Sequence, residues 1–336
     1  MRTFTTLTLL LLFSGLLYAE ESKKLSADKE RIIKTVRYLS EDLFPRTANP
    51  ENKVKTIDYI TKAFEATGLE VTHDEFAIKT VLCAPDFPAS GISEESVVIE
   101  VRRGQVSSIN IHALKKGKGD KRIVVAAHYD IVARSPGADD NASAVAAIIE
   151  LAYMLKETPP LNCDVEFVSY DEEEIGLYGS RYHAKKLKKQ NVDVVCMFSL
   201  DMVGYFSDEE NSQEYPVPGM SSMFGTKGDG LAVIGRPQDF RLIAMAQKVW
   251  QAETSLKIVP LPAPPGMDIL LSRSDHAPFW WEGYPALFLS DTAEFRNKNY
   301  HKNTDTWDTL DYDRLAQVPV GLYHVILAID AAHASK

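Results

Sequence analysis

RIVVAAHYDIVARSPGADDNASAVAAIIE, residues 122–150, is the stretch on which the fold turns. Ile123, Val124, Val125, Ala126 and Ala127 form an apolar run without helical spacing, which predicts a strand buried on both faces of a parallel sheet. The run stops at His128-Tyr129-Asp130, passes a turn holding Pro136 and Gly137, and reaches Ala138-Asp139-Asp140-Asn141. From Ser143 onward Ala, Val, Ile and Leu recur at helical intervals, so a helix is expected to begin near Asn141 or Ala142. A His-x-Asp therefore stands at the carboxyl end of a strand and a carboxylate pair at the mouth of a helix, where ligands bind in open α/β sheets. His128 can offer a ring nitrogen to a metal, and Asp130, pointing the same way two residues on, can fix its tautomer. Asp139 can present both carboxylate oxygens. Taken alone, a structural His and a helix cap explain the stretch better; the rest of the chain reverses that reading.

Upstream, Arg2 precedes an apolar core from Leu7 to Leu17, and Leu17-Tyr18-Ala19 ends in a small residue before Glu20-Glu21-Ser22. This is the pattern of a secretory signal over residues 1–19, too short to span a membrane. The mature chain is thus expected to be exported, periplasmic or extracellular, with no membrane anchor after cleavage. Residues 20–336 contain no Ser/Gly linker, repeat or low-complexity run, and a single catalytic domain is expected. With 37 Lys+Arg against 47 Asp+Glu the net charge is −10, which argues against nucleic acid or an anionic membrane as partner and suits a cation site. Cys83, Cys163 and Cys196 allow at most one disulfide; Cys163 and Cys196 fall at or inside predicted strands, where a thiol serves as a small hydrophobe. No feature of the sequence speaks to oligomeric state.

Helical spacing recurs over residues 28–39 and 51–66, and strands are expected over residues 69–78, 97–101 and 109–114. Residues 164–170 read as another strand, ending at Asp171-Glu172-Glu173-Glu174-Ile175-Gly176-Leu177. Crowded carboxylates repel unless a cation or solvent intervenes. A further apolar strand, from Val194, carries Asp201 as its only charge, and a carboxylate there needs a partner. A polar loop, Tyr300-His301-Lys302-Asn303-Thr304-Asp305-Thr306, supplies a late His. A parallel sheet would gather the strand ends along one edge. His128, Asp139, a Glu of the acidic cluster, Asp201 and His301 are the N and O ligands that zinc takes. If one carboxylate bridges, two ions about 3.5–4 Å apart can be held, leaving one Glu free as a general base.

The motifs HYD (128–130), GADDNASA (137–144), EEEIGLYGS (172–180), LDMVGY (200–205), RSDHAPF (273–279) and YHKNTDT (300–306) resemble, in order, those of the co-catalytic di-zinc exopeptidases. That family comprises secreted bacterial aminopeptidases, with glutamate carboxypeptidases and glutaminyl cyclases as relatives, and the likeness runs from about Leu39 to the carboxyl terminus. It implies an α/β fold, a three-layer sandwich with a mixed, mainly parallel central sheet flanked by helices. It further implies two Zn2+ per chain, with His128 and Asp201 on one ion, Glu174 and His301 on the other, and Asp139 bridging. Glu173 would be the general base and acid, Asp130 would orient His128, and the peptide between Asp139 and Asp140 would be cis. The alignment is anchored on Ile175-Gly176-Leu177, which leaves Glu172 outside the ligand set.

The implied reaction is removal of the N-terminal residue from a peptide with a free amino terminus, by a zinc-bound hydroxide that Glu173 helps to form. A glutaminyl cyclase-like or carboxypeptidase-type activity, and a non-catalytic zinc- or peptide-binding role, are the alternatives. Leu114 runs quickly into the metal strand, without the large insertions of the carboxypeptidase relatives, which favours the aminopeptidase. Arg273 is a candidate either to meet a substrate carboxylate or to pair with Asp275, and a structural salt bridge is the expected reading. Leu270 and Leu271 stand where some relatives carry a Tyr. Met202, Met267 and Phe279 are candidates for an apolar pocket or for the core, residues 260–265 for a stiff rim loop, and residues 207–229 for an excursion that shapes the cleft or lies on the surface.

Overall fold

In the computed structural model, which describes residues 25–78, 107–262 and 271–334, eight strands form one sheet. They are β1 (Glu70–Phe76), β2 (Ser108–Lys115), β3 (Lys121–His128), β4 (Asp164–Tyr170), β5 (Asp193–Leu200), β6 (Gly230–Gly235), β7 (Lys257–Pro262) and β8 (Ala286–Ser290). Their order is β1-β2-β4-β3-β5-β8-β6-β7. At the centre β4, β3, β5 and β8 run parallel, as do β6 and β7, while β1–β2, β2–β4 and β6–β8 are antiparallel.

Alternation along β3 explains the layers. Ile123, Val125 and Ala127 enter the larger core and Val124 and Ala126 the smaller, so the strand is apolar throughout because helices cover both faces. The helices in chain order are α1 (Lys29–Arg37), α2 (Pro50–Glu65), α3 (Ala144–Leu155), α4 (Tyr178–Lys189), α5 (Met220–Phe224), α6 (Phe240–Glu253), α7 (His276–Trp281), α8 (Tyr312–Leu315) and α9 (Gln317–Ala332). The larger core holds Ile32 of α1, Phe64 of α2, Ile148 of α3, Trp250 of α6 and Ile329 of α9; the smaller holds Leu187 of α4 and Phe279 of α7. This is the expected α/β architecture, a mixed sheet between two helical layers.

Local signals set the element ends. The Asp28 side chain accepts from Arg31 N and opens α1, and Asn49 caps α2 ahead of Pro50, as short polar side chains and an N-terminal proline do. Cys163 and Cys196 are buried free thiols. Residues 1–19, Cys83, the strand expected over residues 97–101, Met267 and Leu270 lie outside the described residues, as do residues 263–265 of the rim loop. The register then positions the site. His128 pairs with Tyr170, and Ala126 with Ser199, so the ends of three neighbouring strands deliver His128, the acidic run after Tyr170, and Asp201 to one edge.

Candidate metal centre

Six side chains meet at that edge. His128 Nε2 lies 3.2 Å from Asp140 Oδ1 and 3.5 Å from Asp201 Oδ1. His301 Nε2 lies 3.1 Å from Asp140 Oδ2 and 3.2 Å from Glu174 Oε2. Glu173 completes a second set of donors with His128 and Asp201, beside the set of His128, Asp140 and Glu174. Asp130 ties the set together from behind. Its two oxygens accept from the amides of Glu173 and Glu174, both at 3.1 Å, and Oδ1 lies 3.3 Å from His128 Nδ1.

Asp140, not Asp139, stands between the two histidines, a shift of one residue from the expected bridging position. Asp139 is fully buried and points inward. Its Oδ1 accepts from Gly204 N at 3.0 Å and its Oδ2 from Asn297 Nδ2 at 2.6 Å. Burial, with Asp291 and Asp305 beside it, holds its carboxyl well above the usual range. The backbone does the selecting. The Asp305 carboxylate accepts from the amides of Asp139 and Asp140, at 2.9 and 3.1 Å, which turns the two side chains apart. Gly137 enters the turn at φ 64°, and a Cβ there would sit 2.3 Å from the Asp140 carbonyl oxygen. The cis peptide expected before Asp140 is instead the one after it, Asp140–Asn141.

The donor set demands positive charge. Among the described residues no Lys or Arg forms an ion pair with Asp140, Glu173, Glu174 or Asp201. Burial and the neighbouring Asp140 push the Glu174 carboxyl up to about 7. Burial opposes a charged His301, yet Asp140 and Glu174 outweigh it and raise that imidazole to about 10. His128 is raised in the same way by Glu173, Asp130, Asp140 and Asp201. Donor atoms that share one tetrahedral zinc lie roughly 3.3 Å apart, given bonds near 2.0–2.2 Å, and the four approaches to the histidines fall on either side of that value. The two overlapping donor groups, which share His128, have the chemistry and spacing to hold a zinc-like cation.

Several supports lie far away in sequence. Fully buried Arg46 donates to the carbonyls of Tyr129 (2.8 Å), Pro136 (2.7 Å) and Asp140 (3.4 Å), clamping the loop between β3 and α3. No motif announces it, whereas Asp305 was visible within the His301 motif as an acid without a role. Glu172, expected outside the ligands, pairs with buried Lys53 at 3.0 Å, which also takes Asp171 at 2.7 Å.

Beside Asp201 and Tyr300 a cleft of about 150 Å³ opens between Ile234, Leu261, Leu271 and Phe288. The 207–229 excursion supplies Tyr215 and Met220 to its wall, so this segment shapes the cleft. Met202 and Phe279, both pocket candidates, are fully buried, and Phe279 belongs to the smaller core. Arg273 pairs with Glu294 at 2.6 Å rather than with Asp275, because Asp275 is buried behind the site. His276 bonds the Leu271 carbonyl at 2.8 Å and stacks on Phe288; burial drives its pKa down to about 3, leaving a neutral structural ring.

Comparison with known proteins bears on this geometry. The profile of peptidase family M28 matches residues 110–325. The uncharacterized protein YfbL of Escherichia coli (strain K12) is 33% identical, covering 88% of this chain and 87% of YfbL. Aminopeptidase YwaD of Bacillus subtilis (strain 168) is 40% identical over 29% of this chain and 22% of its own length. In structure, the zinc aminopeptidase BSAP from Bacillus subtilis superposes with a TM-score of 0.69 at 19% identity, covering 94% of this chain and 98% of BSAP.

Proposed function

Because this chain belongs to peptidase family M28, we propose that it is a di-zinc aminopeptidase that removes apolar N-terminal residues from peptides. His128 and Asp201 would hold one zinc, Glu174 and His301 the other, with Asp140 shared between them. Bound there, the metal would supply Lewis acidity to the scissile carbonyl and acidify the attacking water. The observation that carries the reading is Glu173: it stands within the donor set with no ion pair among the described residues, its amide fixed by Asp130. Burial raises its carboxyl well above the usual range, which suits a group that takes a proton from water and delivers it to the leaving amine. Asp130 positions Glu173 and Glu174 together. The apolar cleft beside Asp201, walled by Ile234, Leu261, Leu271 and Phe288, suits the side chain of the terminal residue. The proposed site of action is outside the cytoplasm, on the strength of the signal pattern in residues 1–19.

Aminoacyl p-nitroanilides and their N-acetylated counterparts, assayed alongside metal analysis, test the proposal. The expected result is hydrolysis of leucyl over acidic aminoacyl anilides, none of the blocked ones, and a Glu173→Gln variant slowed about 10²–10⁴-fold with its zinc retained. Equal rates for Glu173→Gln with zinc bound would remove Glu173 from the chemistry. No turnover of any free aminoacyl anilide by the wild type would favour a binding role.

A further inference from the structure

A second cluster of metal-ligand side chains lies away from the edge, on the sheet face that α4 covers. It comprises His112 of β2, Glu166 of β4 and His183 of α4, all buried, each with one donor atom within 4.8 Å of the other two. Glu166 sits four residues back along β4 from Tyr170, which pairs with His128, and so roughly 13 Å from the strand ends. The two clusters share no residue.

His112 Nδ1 lies 2.9 Å from Glu166 Oε1, and His183 Nε2 lies 3.5 Å from Glu166 Oε2. These spacings bracket the roughly 3.3 Å that separates donors on one tetrahedral zinc. His183 is held from its far side, where Nδ1 meets the Tyr170 hydroxyl at 2.8 Å. That is the kind of outer contact that aims a ligating imidazole. Either tautomer of His183 leaves a defect. A proton on Nε2 stands too far from Glu166 for a good hydrogen bond, and a proton on Nδ1 sets the Nε2 lone pair against a carboxylate oxygen. Burial lowers the His183 pKa, so a proton on both nitrogens does not relieve the conflict.

Other charged groups face the cluster. Arg122 Nη1 reaches Glu166 Oε2 at 3.0 Å and also approaches Asp164 at 3.4 Å. From β1, Asp74 lies 3.3 Å from His112 Nε2 and is itself paired with Lys186 of α4. Asp74 therefore engages His112 through Nε2 and leaves Nδ1 as the atom aimed at Glu166, the outer contact that orients a ligating imidazole. A polar cavity of about 180 Å³, lined also by Thr72 and Gln190, opens onto the three side chains, and gives room for a water in an open coordination position.

From this geometry we infer that His112, Glu166 and His183 form a separate site for a divalent transition-metal ion, with Zn2+ the best match to two imidazoles and a carboxylate. The ion fastens α4 to the β2–β4 pair. Since α4 follows directly on the loop carrying Glu173 and Glu174, the site braces that loop without taking part in hydrolysis.

The experiment is equilibrium dialysis of the full chain against buffered Zn2+, read by metal analysis, with Co2+ absorption as a second readout. The wild type binds one equivalent beyond those held at the strand ends. A variant disabled at the edge, His128→Ala with Asp140→Asn, keeps that equivalent. His183→Gln or Glu166→Gln, added singly to the disabled variant, removes it. In the otherwise intact chain His183→Gln still hydrolyses an aminoacyl anilide, which shows that the fold persists. Absence of an additional equivalent in the wild type overturns the inference, as does its retention with unchanged affinity in both His183→Gln and Glu166→Gln.

Discussion

Asp139 and Asp140 are chemically identical neighbours, and only their surroundings separate them. Asp140 faces two imidazoles, which pull its pKa down against the effect of burial, whereas both Asp139 oxygens are taken by Gly204 and Asn297. Conversion of each to Asn should therefore give unequal results. Asp140→Asn is expected to lower zinc affinity more than about 100-fold, beyond what loss of an outer contact costs, and to abolish hydrolysis. Asp139→Asn keeps a hydrogen-bonding group and should retain its metal, at a stability cost of about 1–2 kcal/mol, read by urea unfolding. Equal metal loss in the two variants would return the bridging role to question. A run of two acids before a helix does not reveal which one faces the ligand, because that depends on Asp305, more than 160 residues away. Four other positions are legible because each stands at or follows the end of a strand, whereas His301 lies in a polar loop and is marked only by its motif. His128, Glu173, Glu174 and Asp201 follow apolar runs whose termini a parallel sheet must align.

The same contrast holds for elements. The strand expected over residues 164–170 is β4 to the residue, and both amino-terminal helices start where a capping side chain stands in the sequence. Legibility fails where an element is held from a distance: Arg46 reaches across 83 to 94 residues to carbonyls that carry no sequence signal of being bound. Gly321 is a comparable case in packing. It lies within α9, where a Cβ would come 2.3 Å from the Trp250 ring of α6, so the two helices approach at a point that only glycine permits. Gly321→Ala forces an indole in a close-packed core to move and is expected to cost about 1–3 kcal/mol. Thermal unfolding should drop by several degrees while kcat on an anilide stays unchanged, since Trp250 belongs to the larger core and not to the cleft. A variant as stable as the wild type would mean that the α6–α9 contact yields more easily than its geometry implies.

Across the whole molecule, metal and proton compete for the same buried groups. Asp171, Glu174, Asp275 and Asp305 are each pushed up to about 7, chiefly by burial, and His301 is raised to about 10 by Asp140 and Glu174 against burial. A folded-state pKa above the unfolded value contributes stability at low pH that is lost as pH climbs through the folded value. For the carboxyls that loss runs from about pH 4 to 7, and for His301 from about pH 6.5 to 10, so both act in one direction. Buried His276, lowered to about 3, acts the opposite way below about pH 6.5, so the chelated protein should lose thermal stability chiefly between about pH 6.5 and 8. Zinc held as proposed would take Glu174 as a carboxylate and His301 as a neutral ring, so loading would remove these two from the balance and tighten as pH rises. Melting curves with EDTA and with Zn2+ at a series of pH values measure the consequence. The interval between the two transition temperatures should widen from pH 5 to pH 8. A constant or narrowing interval would mean that Glu174 and His301 are not the groups that exchange protons for metal, and that the strand ends are held together by the polypeptide alone.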